Sequence, residues 1–366
     1  MNSPLSFSLN KPCSLDTRVA ICYNETNKRS MVMEHLNRVL DELTRSKLVS
    51  NIAVRVGRGE VVLSDSFRGK VDELTLFDIA SVTKVMATTT LALIALDKGI
   101  LSLDDRVDKF YKTEKNITIY NLLTHTIGIG YKLLTEDGVT CENIADKILS
   151  IPSDIEIGAD VRYSCPAFIL LGKILEFVFA KPLNIAFDEL VAKPLELTDT
   201  TFLPHVSDNI VNANLDPNLI GVVNDYNANF LGGVAGNAGI FSNLKDITKY
   251  AKLLLNRGAP LFDEDIFSLA AANHTANMSA SRGLGFLYVD KRYSQAYGLF
   301  EDGAIGHCGH TGQSIFVDYR TGLDAIILSD ATVSTIKKYG EERYGEVMKM
   351  RSLIHNAIKL DLEELN

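Results

Sequence analysis

The stretch Phe77-Asp78-Ile79-Ala80-Ser81-Val82-Thr83-Lys84 leads into a run of apolar residues at helical spacing that extends to Lys98. A serine in the first turn of a helix lies beside free backbone N–H groups, and the positive end of the helix stabilises negative charge there. Lys84 follows three residues later and therefore lies on the same helix face. A partly desolvated lysine in this place loses its proton near neutral pH and accepts the serine proton. The spacing is therefore consistent with Ser81 as a nucleophile and Lys84 as its base.

The same Ser-x-x-Lys spacing occurs four times in the chain, at Ser8, Ser81, Ser242 and Ser334. The more common explanation for such a pair is a serine that caps a helix and a lysine that points to solvent. The spacing alone does not select one of the four. Ser81 is distinguished by the sequence around it and by two elements that follow it.

The first of these elements is Tyr163-Ser164-Cys165, directly before an apolar helical run from Pro166 to Phe179. A tyrosine at the mouth of a cleft, with its phenol near an ammonium group, can carry a proton to a leaving group. The alternative for one of 13 tyrosines is an aromatic side chain packed in the core. Tyr163 is therefore a candidate proton shuttle.

The second element is Gly306-His307-Cys308-Gly309-His310-Thr311-Gly312-Gln313-Ser314, which leads into a strand. Small residues such as Gly309 at a strand edge let a substrate backbone approach, and exposed N–H groups there can complete an oxyanion hole with the N–H of Ser81. One alternative is a glycine-rich turn with two solvated histidines. A metal site is a weaker alternative, because neighbouring strand residues point to opposite faces and no other cluster has ligand spacing.

The flanks of the chain predict an α+β fold. Strand patterns occur at both ends and helical periodicity dominates the middle. The strands are expected at 52–56, 61–67, 284–289, 314–319 and 324–329, the outer helices at 31–48 and within 332–360. We expect one antiparallel sheet built from both chain ends and covered by these helices. The predicted units are an N-terminal arm (1–29), an α/β sheet domain (30–76 and 283–366) and a helical domain (77–282), with the active site between the last two.

The composition of the 366 residues excludes several classes of protein. The 37 basic and 46 acidic residues give a net charge of −9, and no basic run could follow a phosphate backbone, so we expect no nucleic-acid partner. No signal-peptide pattern and no stretch of about 18 uninterrupted apolar residues is present, which predicts a cytoplasmic protein without a membrane partner. Five cysteines without a Cys-x-x-Cys pair predict reduced thiols rather than disulfides or a zinc site. Nothing in the sequence indicates the oligomeric state.

Taken in order, the motifs Ser-x-x-Lys, Tyr-Ser-x and His-x-Gly resemble the serine β-lactamase and penicillin-binding-protein-like superfamily, with the class C β-lactamase and esterase branch closest. The resemblance extends from about residue 77 to residue 330. It includes three further stretches, Leu122-Leu123-Thr124-His125-Thr126-Ile127-Gly128, Leu170-Leu171-Gly172 and Gly236-Asn237-Ala238-Gly239-Ile240-Phe241-Ser242. It implies the β-lactamase/transpeptidase-like fold, a small-molecule acyl substrate, and no cofactor or metal.

The resemblance also implies a role for each residue that matches a family motif. The acylated nucleophile, its base, the proton shuttle and the residue at the family's Lys or His position are Ser81, Lys84, Tyr163 and His307. The family places this last residue eleven positions before the Asp of the next strand, which fits His307 and Asp318. The second oxyanion donor is then the backbone N–H of His310. His125 and Ile127 are interpreted as structural.

Two positions depart from the common family pattern. Cys165 stands where many relatives have Asn, and a thiol is a weak donor that offers no paired amide groups to a substrate. His307 in place of Lys removes a permanent cation that could bind a substrate carboxylate. Both changes favour esters or other small acyl substrates. A D-amino-acid peptidase, a penicillin-binding carboxypeptidase or a β-lactamase remains an alternative, and so does a non-catalytic binding protein.

Overall fold

The computed structural model describes residues 32–136, 138–207, 209–292 and 295–364, so the N-terminal arm predicted for 1–29 lies outside the described residues. The strands are β1 Ile52–Arg58, β2 Val61–Arg68, β3 Phe77–Asp78, β4 Phe241–Ser242, β5 Leu287–Tyr288, β6 Ile305–Cys308, β7 Ser314–Asp318 and β8 Leu323–Ser329. The α-helices are α1 Glu34–Arg45, α2 Thr90–Asp97, α3 Ile119–Leu123, α4 Ile144–Ser150, α5 Cys165–Phe179, α6 Leu183–Phe187, α7 Tyr226–Phe230, α8 Leu244–Leu255, α9 Glu264–Ala271, α10 Ala331–Tyr339 and α11 Tyr344–Glu363.

Six strands form one antiparallel sheet in the order β2-β1-β8-β7-β6-β5. The first two strands of the chain therefore pair with the last four, and β1 lies directly against β8, with Ile52 opposite Ser329. This arrangement confirms the prediction of an antiparallel sheet built from both chain ends. A second sheet has two strands, β3 and β4, and β3 ends three residues before Ser81 in the chain.

Different helices cover the two faces of the six-stranded sheet. Neighbouring residues of β8 point to opposite faces, as the pleat of a strand requires. Ile327 packs in one apolar cluster with Leu40 of α1 and Ile354 of α11. Ile326 belongs to the larger cluster that the middle of the chain fills, and α8 contacts the sheet on that side. The domain boundaries drawn from the sequence stay a prediction.

Glycines account for two differences from the predicted elements. The strand expected at 284–289 shortens to β5, because Gly285 has φ +78° and donates its N–H to the carbonyl of Leu123. The closing helix is in fact two helices, α10 and α11, and Gly340 at φ +74° ends the first of them. Glycine adopts the left-handed backbone region without steric cost, so the strand shortens and α10 ends at positions where the chain has a glycine.

The helical segment that carries Ser81 runs through the centre of the fold. It begins as a 3₁₀ turn at Ala80–Val82, continues as a π-helix at Lys84–Thr89 and ends as α2. Among the described residues, Ala80–Asp97 is the one helix that could cross a membrane by length and composition, and 89% of it is buried inside the fold. Its apolar character therefore fits a central core helix.

A buried carboxyl in the sheet makes stability depend on pH. Asp324 is 4% exposed, its Oδ2 has no hydrogen-bond partner among the described residues, and burial raises its pKa to about 6. A side chain at Gly57, which lies opposite in β1, would come within 2.4 Å of the Asp324 carboxylate. The carboxyl thus fills a space that glycine leaves open.

Replacing Asp324 with asparagine is expected to stabilise the fold above pH 6. Because the folded pKa lies above the unfolded value of about 4, the fold favours the protonated acid, and its stability falls as the pH rises from about 4 to 6. Asparagine removes this penalty, which amounts to about 3 kcal/mol for a shift of about two pKa units. Urea unfolding at pH 4 and pH 8 measures the effect. Asp104→Asn, at an exposed carboxyl, is the control, and equal changes in both variants would contradict the prediction.

Candidate active site

The backbone before Ser81 makes an unusual turn. Ala80 has φ +48°, a conformation that residues with a side chain rarely adopt. The carboxylate of Asp78 holds this turn, because one oxygen accepts the Ala80 N–H at 2.8 Å and the other accepts the Asn224 N–H at 2.7 Å. The turn leads directly into the 3₁₀ turn in which Ser81 lies.

Two side chains contact the hydroxyl of Ser81. Lys84 Nζ lies 2.9 Å from Ser81 Oγ, and Tyr163 Oη lies 2.7 Å from the same oxygen. Lys84 is 0% exposed, and its Nζ also contacts the carbonyl of Asn237 at 2.8 Å and Cys165 Sγ at 3.6 Å. Tyr163 is 37% exposed, so its ring reaches the surface. The structure therefore brings a serine, a buried amine and a phenol together.

The other Ser-x-x-Lys pairs lack this arrangement. Ser242 and Ser334 are buried, and each hydroxyl bonds to a neighbouring hydroxyl or carboxylate group. Lys245 and Lys337 are exposed. Ser8 lies outside the described residues. Of the three pairs that the structure describes, the one at Ser81 joins its serine to a buried lysine.

Burial and two ionisable neighbours act in opposite directions on Lys84. Burial is the largest influence and lowers the pKa of the ammonium, whereas Cys165 and Tyr163 as anions, with a smaller contribution from Asp225, bring the net pKa above its ordinary value. Burial also raises the pKa of the Cys165 thiol and of the Tyr163 phenol, so both are uncharged at pH 7. The main upward influence therefore operates only at high pH. With both neighbours uncharged at pH 7, burial is the largest influence that remains on Lys84, and it favours the neutral amine.

The ring of His125 packs against the ring of Tyr163. Its ring centre lies 4.9 Å from that of Tyr163, and its Nδ1 accepts the backbone N–H of Ser164 at 3.0 Å. Burial first, and then the charges of Arg282 and Lys84, lower its pKa well below the usual value. The Arg282 guanidinium lies 5.6 Å from the Tyr163 ring centre. His125 is thus a neutral packing partner of the phenol, which agrees with its structural interpretation.

His307 lies in β6 and is 2% exposed, so the alternative of two solvated histidines is wrong for this residue. Its Nδ1–H donates to the carbonyl of Cys308 at 2.8 Å, a contact that assigns the tautomer and leaves a lone pair on Nε2. Nε2 is buried and has no hydrogen-bond partner among the described residues. Burial first, then the charges of Arg282 and Lys84, lower its pKa well below the usual value. His307 therefore offers a neutral acceptor, and its ring centre lies 6.2 Å from that of Tyr163.

The turn between β6 and β7 is fixed to the backbone just before Ser81. Thr311 Oγ1 donates to the carbonyl of Asp78 at 3.0 Å, and Gln313 Nε2 donates to the same oxygen. A side chain at Gly309 would come within 2.6 Å of the carbonyl of Ile79, so this close approach requires glycine. Gly309 therefore serves the packing of the turn against the segment that carries Ser81.

His310 follows Gly309 in this turn, and its side chain points away from the buried groups. Its Nε2 pairs with Glu342 at 2.8 Å, and its ring stacks on Tyr344 with 5.7 Å between ring centres. Thr332 Oγ1 donates to its carbonyl at 2.5 Å. The carbonyl of His310 is therefore fixed by Thr332, while its imidazole is half-exposed.

The histidines of this turn do not belong to a cluster of metal-ligating side chains. In the part of the chain that the structure describes, the group close enough to share an ion is His35, Asp361 and Glu364, where α1 meets α11. Both oxygens of Asp361 already accept backbone N–H groups, from His35 and Leu36. This group is explained as the contact that joins the two helices.

A family model described as Beta-lactamase matches residues 36–346. The chain belongs to the beta-lactamase family. It is 27% identical over 311 residues to a putative D-alanyl-D-alanine carboxypeptidase of Escherichia coli (strain K12), a match that covers 72% of this chain and 70% of that protein. It is 33% identical over 203 residues to the esterase EstB of Burkholderia gladioli, covering 46% of this chain and 51% of the esterase.

A solved structure supports the same fold for this beta-lactamase family member. The structure of EstCE1, a hydrolase with promiscuous acyltransferase activity, superposes with a TM-score of 0.72 at 19% identity. The match covers 89% of this chain and 97% of that chain. The β-lactamase/transpeptidase-like fold predicted from the motifs is confirmed.

Cys165 lies at the start of α5 in this family member, where its thiol is 3% exposed and touches Lys84 Nζ. Its role as a substrate-binding residue stays a prediction. Because burial raises its pKa, the thiol is neutral. In the structure it is therefore an uncharged neighbour of the Lys84 amine.

Several residues near Ser81 were not singled out from the sequence. None of them contacts the Ser81 hydroxyl in the described structure, and each instead contacts a residue that surrounds it. They are Asp78, Asn237, Arg282 and Arg351. Asp78 and Asn237 lie within stretches that resemble the family, so their positions carried a signal. Arg282 and Arg351 belong to no motif and reach the site only through the fold.

Proposed function

We propose that the chain is a serine acyl hydrolase that forms an acyl-enzyme on Ser81 and acts on esters or small amides. The observation that carries the proposal is the Ser81 hydroxyl shared between a buried amine at 2.9 Å and a phenol at 2.7 Å. A protein that only binds ligands needs none of these three groups together. The roles given to individual residues below belong to this proposal.

In the acylation step the neutral amine of Lys84 takes the Ser81 proton, and Ser81 Oγ bonds to the acyl carbon. The carbonyl oxygen of the substrate becomes an oxyanion, which the backbone N–H groups of Ser81 and His310 stabilise. As the oxyanion collapses, the bond to the leaving group breaks. Tyr163 gives its proton to the leaving group and regains one from Lys84, so the protons balance.

In the deacylation step the same groups act on water. The neutral amine of Lys84 takes a proton from the water molecule, directly or through the phenol of Tyr163, and the water oxygen bonds to the acyl carbon. The second oxyanion collapses, the bond to Ser81 Oγ breaks, and the proton returns to that oxygen. The neutral His307 Nε2 lone pair accepts a hydrogen bond from the phenol or from the substrate during these steps.

Two features support esters as the substrate class. Cys165 is a buried neutral thiol, and His307 is a buried neutral imidazole, so neither supplies the amide or the cation that a peptide-like or penicillin substrate uses. The esterase EstB is among the relatives. A small ester needs neither contact.

A D-alanyl carboxypeptidase is the second candidate, and one observation favours it. The guanidinium of Arg282 lies beside Tyr163 and brings a positive charge near the reacting groups, where a terminal carboxylate would be attracted. Relatives include putative D-alanyl-D-alanine carboxypeptidases. The cytoplasmic location expected from the sequence stays a prediction and gives no direct support to either candidate.

The test is mass spectrometry after incubation with a fluorophosphonate and, separately, with a penicillin, followed by assays with a short-chain nitrophenyl ester and a D-alanyl-D-alanine peptide. The proposal expects a fluorophosphonate adduct on Ser81 and faster turnover of the ester. Faster peptide turnover would select the second candidate. Absence of any adduct on Ser81 in the folded protein would refute the serine hydrolase itself.

The two departures give a prediction about substrate choice. Cys165→Asn supplies an amide, and His307→Lys supplies a cation, so each is expected to raise penicillin acylation relative to ester hydrolysis by about ten- to a hundred-fold, the value of one or two hydrogen bonds. The measurement is the ratio of the two second-order rate constants in wild type, both variants and the double variant. Cys141→Asn, at an exposed cysteine, is the matched control. A ratio that is constant across the series contradicts a role of these positions in substrate choice.

A further inference from the structure

Arg351 of α11 is a wholly buried arginine that touches the turn beside Ser81. It is 0% exposed, and its Nη2 donates to the carbonyl of Gly309. Its Nη1 donates to Gln295 Oε1 at 3.1 Å. Burial of a guanidinium costs folding free energy unless its hydrogen bonds are made. The fold therefore accepts a cost in stability to place this charge at the carbonyl of Gly309.

The carbonyl of Gly309 and the N–H of His310 belong to one peptide unit. Because a trans peptide is planar, these two groups point in opposite directions. A donor that fixes the carbonyl on the α11 side therefore fixes the direction of the His310 N–H on the other side. Gly309 is held at two further points, since its N–H donates to the Gln313 carbonyl at 2.9 Å and its Cα packs against the Ile79 carbonyl.

The positive charge also acts on the strength of the donor. A cation at a peptide carbonyl polarises the whole amide and makes the N–H of the same unit a stronger hydrogen-bond donor. The charge of Arg351 is close enough to the site to contribute to the lowered pKa of His307. Its influence therefore reaches the reacting groups without contact with substrate.

We propose that Arg351 is a positioning residue, which aims and polarises the His310 N–H so that it binds the substrate oxyanion. The inference rests on the proposed function, in which that N–H is the second oxyanion donor. Arg351 does not touch the reacting atoms, and its effect passes through the Gly309–His310 peptide. Loss of the guanidinium should reduce the stabilisation of the transition state more than it reduces the affinity for substrate.

The experiment compares an oxygen ester with the thiono ester of the same alcohol in wild type, Arg351→Met and Arg351→Lys. Sulfur is larger than oxygen and accepts hydrogen bonds poorly, so a well-aimed donor favours the oxygen ester. Arg351→Met is expected to lower kcat for the oxygen ester about 100-fold, with KM changed less than about three-fold, and to lower the oxo-to-thiono rate ratio at least about ten-fold. Arg351→Lys, which keeps the charge but lacks the planar fork of donors, should lie between the two.

Folding is monitored by thermal unfolding and by the fraction of Ser81 that fluorophosphonate labels at completion. Arg55→Met, at an arginine paired with Asp65 on the sheet, is the control for loss of a partly buried guanidinium and should keep the wild-type ratio. If Arg351→Met does not fold, Arg351→Lys carries the test through its ratio. A wild-type ratio in a folded, labelled Arg351 variant would overturn the inference. Absence of labelling in wild type would instead refute the proposed function.

Discussion

Ser81→Ala is expected to lower kcat/KM for a short-chain nitrophenyl ester on the order of 10⁴-fold or more while the protein stays folded, because no other group can form the acyl-enzyme. The hydroxyl contacts Lys84 and Tyr163 and is only partly buried, so its loss leaves the core intact. The measurement is steady-state hydrolysis together with thermal unfolding.

Ser242→Ala and Ser334→Ala are the matched controls for this prediction. Both serines precede a lysine by the same spacing, but their lysines are exposed and their hydroxyls bond elsewhere. Each variant should keep most of the ester activity and lose at most about 1–2 kcal/mol of stability with its hydrogen bonds. A Ser81→Ala protein as active as these two controls would show that the nucleophile is elsewhere.

Lys84→Arg is expected to be nearly as inactive as Lys84→Met, with both reduced on the order of 10³-fold or more. Arginine keeps the positive charge but does not lose its proton, so it cannot take the proton of Ser81. A role limited to electrostatics would leave the arginine variant active. The comparison is made by kcat/KM on the same ester, and thermal unfolding shows whether the larger guanidinium is accommodated in this buried position.

The pH dependence of kcat/KM adds a second readout for Lys84. If its neutral amine is the base, activity in wild type should rise with pH as the ammonium loses its proton. Residual activity of Lys84→Met should lack that rise. Near-normal turnover in Lys84→Arg would contradict a role of Lys84 as base and would show that it contributes only its positive charge.

The sequence was sufficient for features that local spacing determines. Ser81 and Lys84 are three residues apart on a helix, so their contact follows from helical geometry. The antiparallel sheet followed from alternating strands at both chain ends. The choice of His307 over His310 depended on register, and the structure places one in the buried strand and the other in the turn with its side chain half-exposed.

Other parts of the site depend on contacts that spacing does not encode. The left-handed backbone of Ala80 is held by Asp78 and by the turn from β6 to β7, and alanine itself gives no signal for it. The burial of Cys165 against Lys84 depends on how α5 packs on the central helix. Arg351 is 44 residues beyond His307 in sequence and meets the same turn only in the folded protein.

The pairing of β1 with β8 also sets the order in which the molecule can be completed during synthesis. A growing chain makes Ser81 and Lys84 early, but β1 stays an open edge until residues 323–329 leave the ribosome. Such long-range pairing is slow and leaves apolar surface uncovered in the meantime. The turn that carries His310 gains its arginine only after α11 emerges. Ser81 and Lys84 are therefore in the growing chain well before the turn that carries His310 has all of its contacts.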